Sequence, residues 1–171
     1  MEKLKEMLFM LMSQTLSLKE FETWLYEDDY IKSQLLKNKV IFELVSIDLR
    51  SGHAFYELEK FCFNYFNKEE CLVQVMRYNS EMFLETRTED AAEKFMRNVY
   101  RFHDWDTDYF LMSQVCFLSD DWELVDSGYM DGERLMNELS DIAEMFLKQL
   151  HSLNMEESIQ LLRNGVEFRN N

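Results

Sequence analysis

The sequence contains no proline and only four glycines among 171 residues. Without them a turn-rich sandwich or barrel has little from which to build its corners. A loop that cradles phosphate with close backbone is equally short of material. Three cysteines, Cys62, Cys71 and Cys116, are too few and odd in number for a disulfide framework. They stand among aromatic residues, as small buried apolar groups in a reducing cytosol do. No stretch approaches the roughly 18 apolar residues of a membrane span. The apolar run Met7 to Met12 ends at Ser13 and is shorter than the core of a signal peptide. The expected compartment is therefore the cytoplasm, with no membrane segment. Bases are scarce as well: 18 Lys and Arg face 33 Asp and Glu, a net charge of −15. Such a surface repels phosphate backbones and anionic lipid, which excludes direct nucleic-acid binding and a polybasic membrane anchor. Gly-x-Ser-x-Gly, His-Glu-x-x-His and Cys-x-x-Cys are all missing, and His53, His103 and His151 are scattered. No catalytic residue, metal-ligand set or cofactor site is assigned, and an enzyme is not expected.

What is present argues for a folded helical chain. Hydrophobic residues make up 47% of it, including 14 Phe and 8 Tyr, too many for disorder despite the charge. Leu4, Met7, Leu8 and Leu11 stripe a first helix. Ser17-Leu-Lys-Glu20 is a capping box before Phe21, Trp24 and Leu25. A third helix is expected over 34–49, with Leu36, Val40, Leu44 and Val45 inward. Phe55, Leu58, Cys62, Tyr65 and Phe66 stripe a fourth, and a short fifth covers 69–78. Thr88, Ala92, Phe95, Met96, Val99 and Phe102 form the inner face of a sixth. The segment 109–125 is apolar on all sides, so periodicity does not separate helix from strand. Helix is preferred, with a short β element around 109–125 as the alternative. After Asp131, Leu135, Leu139, Ile142, Phe146 and Leu150 return to helical spacing, and Asn154-Met-Glu-Glu157 caps a last helix ending at Gly165. The expected fold is all-α, a compact bundle of about seven to nine helices. Its helical halves, 1–78 and 79–171, pack as one globular unit.

The acidity is local. Residues 104–144 hold 12 acids against one base, Arg134. The run Asp104, Asp106, Asp108 places hard oxygens at alternate positions, as a calcium loop does. Such a loop also needs glycine at its sixth position and glutamate at its twelfth, where this chain has Tyr109 and Val115. A solvated turn, with Asp104 or Asp106 capping the next helix, is the expectation. Large aromatics, Trp105, Tyr109, Phe110, Phe117, Trp122 and Tyr129, interleave with the carboxylates. In one reading they are core and the acids are solvated; in the other, some are anchors ringed by acids that face a basic protein partner. The candidate partner-binding residues are Asp120, Asp121, Trp122, Glu123, Glu138, Asp141 and Glu144.

The first half carries a further pattern: Leu18-Lys-Glu-Phe-Glu-Thr-Trp-Leu-Tyr26, Phe42-Glu-Leu-Val-Ser-Ile-Asp48 and Tyr56-Glu-Leu-Glu-Lys60. Over residues 16–78 it resembles small bacterial proteins, mostly Gram-positive, that share a Phe-Glu-x-Trp-Leu-Tyr helix and are taken to be immunity proteins of toxin systems. The resemblance implies a helical inhibitor of a cognate toxin. Together with the acidity it points to a basic nuclease as the partner. The alternative is a nucleic-acid mimic or acidic regulator, encoded by a phage or mobile element, that inhibits a defence nuclease.

Overall fold

The computed structural model describes residues 1–103 and 109–165, the side chain of Asp126 excepted. The protein is all-α: among the described residues it has ten helices and no strand. They are α1 (Glu2–Met12), α2 (Leu18–Glu27), α3 (Asp29–Gln34), α4 (Lys39–Val45), α5 (Ala54–Tyr65), α6 (Lys68–Thr86), α7 (Glu89–Phe102), α8 (Phe110–Asp126), α9 (Gly132–Leu150) and α10 (Met155–Asn164).

The count exceeds the expected range because side-chain caps, rather than glycine or proline, divide the early chain. Asp28 accepts from the Tyr30 and Ile31 amides at 3.0 and 3.1 Å and starts α3 directly after α2. The Lys3 ammonium, 2.8 Å away, and the Ile31 amide hold the Asp28 carboxyl below its ordinary value. Asn38 accepts from the Val40 amide at 3.0 Å and starts α4. The single helix expected over 34–49 is thus interrupted, and Leu36, expected inward, lies in the break and is 91% exposed. The segment expected over 109–125 is helix from Phe110 onward, not strand, with Tyr109 as its N-cap. Thr88 is not an inward residue; its hydroxyl caps α7 by accepting from the Ala91 amide at 3.3 Å.

The chain divides into two compact units, Met1–Cys71 and Leu72–Asn171, with the division falling in the first turn of α6. In the first unit, α1 packs against α2 and α5, α2 against α3, and α4 against α5. Phe21 and Leu25 take the inner positions of α2, while Trp24 is half-buried with its ring 5.7 Å from that of Phe21. Both ends of the Ser17/Glu20 capping box are made. Cys62 and Cys71 are free and buried, and the Cys71 thiol is pushed up by its hydrogen bond with Cys62 and by burial. Leu44 and Leu58 are fully buried. Leu44→Ala is therefore expected to cost about 2–5 kcal/mol. A thermal melt superimposable on that of the wild type would show that α4 buries a different face.

In the second unit α6 continues unbroken to Thr86, beyond the short helix expected over 69–78. It carries two buried polar residues, Asn79 and Ser80. Asn79 donates to the Val75 carbonyl at 2.8 Å and accepts from the Asn98 amide group at 3.3 Å, which ties α6 to α7. Ala92, Phe95, Met96, Val99 and Phe102 form the inner face of α7, as the spacing predicts. α8 packs against α7, α9 and α10. Asp131 caps α9, and the Asn154/Glu157 box opens α10.

α10 ends at Gly165 with φ 77° and ψ 177°, a conformation open essentially to glycine alone. A Cβ at this position would also run into the Phe110 ring. Gly165→Ala is expected to cost about 1–3 kcal/mol from backbone strain, read as a lowered urea midpoint at unchanged slope.

Candidate functional site

α8 carries apolar residues on two faces. Leu111, Met112, Val115, Cys116, Leu118 and Trp122 are buried against the rest of the second unit. Phe110, Phe117 and Leu124 recur every seven residues, close to two helical turns, so they line up on one side. That side is opposite the buried face, and they are 53%, 57% and 42% exposed. The stripe ends in a tight helix stop. Gly128, at φ 75°, donates its amide to the Val125 carbonyl at 2.9 Å, and the Tyr129 amide reaches the Leu124 carbonyl at 2.8 Å. This pair of bonds is a Schellman cap. It sets Tyr129, 84% exposed, just past Leu124.

Asp120 and Asp121 follow Phe117 by three and four residues, which places them on either side of the stripe. Neither makes an ion pair among the described residues. Asp121 nonetheless acts on Arg134, whose guanidinium is held above its ordinary value mainly by a 2.8 Å hydrogen bond to Glu138. The buried Cys116 thiol is pushed up to about 12, first by burial and then by the Asp120 charge. It stays protonated at neutral pH, which leaves it a packing group rather than a nucleophile.

The candidate residues do not converge on one point. Asp120, Trp122 and Glu123 line a groove of about 400 Å³ with Glu93, Met96, Arg97 and Tyr100 of α7. Arg97 in this groove is already paired with Glu93. Trp122 is only 8% exposed and packs as an interior residue rather than projecting as an anchor. Asp121 and Glu138 gather around Arg134. On α9, Asp141 is exposed and makes no ion pair among the described residues, and Glu144 pairs with Arg87 from the α6–α7 connection. Leu124 is the exposed residue that sequence reasoning missed. The signal for it was the seven-residue spacing from Phe110 and Phe117.

Asp104, Asp106 and Asp108, considered above for calcium, lie outside the described residues. The N-cap of α8 is Tyr109, whose side chain makes no capping bond. Among the described residues no group of three His, Cys, Asp or Glu is arranged to hold a metal ion, and no helix is long and apolar enough to cross a membrane.

In the first unit, a shallow depression of about 810 Å³ is lined by Lys3, Lys19 and Trp24 together with Glu20, Glu27 and Asp28. Its charges are of both signs, and Lys3 and Asp28 neutralise each other across it. Residues 109–144, by contrast, hold nine acids and one base. Of the Phe-Glu-x-Trp-Leu-Tyr segment, Phe21 and Leu25 are core and Tyr26 is 49% exposed. No protein-family model, no curated protein and no solved structure matches the chain.

Proposed function

We propose that this chain is an immunity-type inhibitor that binds and blocks a basic toxin in the cytoplasm, with a nuclease as the partner that best fits the charge. One observation carries the reading. Residues 109–144, which form α8 and most of α9, hold nine acids against the single base Arg134. Asp120, Glu123, Asp131, Glu133, Asp141 and Glu144 among them are exposed. A nuclease presents a positive groove to phosphate, and an acidic face competes for that groove. Inhibition of this kind asks only for a surface. The resemblance of residues 16–78 to toxin-immunity proteins supports the same reading.

Co-expression with the product of the neighbouring gene, followed by co-purification and a nuclease assay, tests the proposal. A stable complex with the nuclease blocked is the expected result. Absence of a complex, with the nuclease fully active, rules the inhibitor out. A nucleic-acid mimic would also block unrelated nucleases, so a panel of non-cognate enzymes separates the two modes of inhibition.

A further inference from the structure

We propose that the α8 stripe Phe110, Phe117 and Leu124, extended by Tyr129, is the seat for a basic amphipathic helix of the protein partner. The inference rests on the inhibitor reading above and specifies where and how such a partner docks.

The stripe is the reverse side of a helix whose other face is already satisfied by α7, α9 and α10. Phe110 rests in part on the Gly165 backbone at the end of α10, but core formation does not account for Phe117 and Leu124. Their line matches the way a helix presents anchors along one face to a groove or ridge. The rim selects the occupant. Asp120 and Asp121 stand on either side of the stripe with no ion-pair partner among the described residues. A helix with Leu or Ile on one face and Lys or Arg beside it would cover the phenyl rings and neutralise both aspartates at once. A second copy of this chain is a poor occupant, because a symmetric contact would press Asp120 and Asp121 against their own equivalents, and the chain as a whole is at −15. An anionic lipid surface is repelled by the same rim.

The Schellman stop strengthens the assignment. It fixes the Tyr129 backbone to the Leu124 carbonyl, just past the end of the stripe, and leaves the ring exposed. Aromatic groups dominate binding energy where a partner desolvates them.

The test uses the full chain and two synthetic peptides of identical leucine and lysine composition. One segregates its leucines onto a single helical face, and the other is scrambled. Fluorescence anisotropy at several salt concentrations reads the affinity. The amphipathic peptide is expected to bind about tenfold tighter than its scrambled isomer or better. Phe117→Gln combined with Leu124→Gln should abolish that margin at unchanged melting temperature, since both side chains are exposed. Asp120→Asn with Asp121→Asn should weaken both peptides and flatten the salt dependence. Equal affinity for the two peptides, or a margin that survives the double glutamine variant, overturns the proposal. So does a wild-type dimer in sedimentation that the glutamine variant abolishes, since the occupant is then a second copy.

The two readings fail separately. If the neighbouring gene product binds the glutamine variant as tightly as the wild type, the stripe is wrong and the inhibitor stands. If that product does not bind while the amphipathic peptide does so through the stripe, the converse holds.

Discussion

Phe95→Ala is expected to destabilise the protein by about 3–5 kcal/mol, the largest single effect foreseen in the second unit. Phe95 is 1% exposed and lies in the middle of the inner face of α7. Its ring centroid stands 6.2 Å from that of Phe83 on α6, with the planes inclined at 50°. Truncation removes the ring, ends this aromatic pair and leaves a cavity. Because α7 packs against both α8 and α9, collapse into the space would have to move more than one helix. Lys94→Ala on the outer face is the matched control. It removes only an exposed ion pair with Asp90, a change of about 0.5 kcal/mol or less. Urea unfolding of the two variants decides the point. Equal midpoints would mean that the phase of α7 has been misassigned.

Much of the fold was legible because most helices advertise both a stripe and a stop. α7, α9 and α10 each combine apolar spacing with a capping side chain, Thr88, Asp131 and Asn154. Where legibility failed, a specific residue was responsible. Asn79 and Ser80 look like a lapse in periodicity because they are polar. Asn79 is in fact buried and satisfied by the Val75 carbonyl and Asn98. No one-dimensional pattern reveals a hydrogen bond to a residue 19 positions away. The α3–α4 break hid for a different reason: α3 ends at Gln34 and Asn38 starts the next helix with its own side chain, while Leu36 continues the apolar spacing through the gap.

The candidate site was legible in charge but not in orientation. Of the twelve acids counted over 104–144, the nine from Asp120 to Glu144 lie on α8, α9 and their connection, and such a count needs no phase. Choosing anchors required phase, and an α8 that is apolar on two faces supplies none. Trp122 looked like an anchor on account of its size and acidic neighbours. In three dimensions it falls on the same side as Val115 and Leu118 and is buried. Phe110 and Phe117 stood among the interleaved aromatics with nothing to mark them as the outward ones. Only the packing of α7, α9 and α10 around the opposite face settles which residues meet water.

Reversing the charges at Asp120, Asp121 and Asp141 together should slow association with the basic partner proposed above. The expected loss at low salt is about tenfold or more, inside the roughly 10- to 1,000-fold range over which steering acts. These three are the informative choice because none is in an ion pair among the described residues. Asp121 acts on Arg134 only through a minor long-range attraction, and exposed charges of this kind contribute little to the folded state, so the melting temperature should change little. Glu138 and Glu144 are the poorer probes, since each already holds an arginine and its reversal confounds steering with lost structure. Screening supplies the internal check. The wild-type rate should fall steeply as salt rises, and the reversed variant should show a shallow slope, because long-range attraction is what salt removes. Stopped-flow mixing across a salt series reads both quantities. Matching rates and slopes for the two proteins would mean that encounter is not guided by α8 and α9. The contact would then have to be sought in the first unit, where the motif-bearing helix α2 borders a depression of mixed charge.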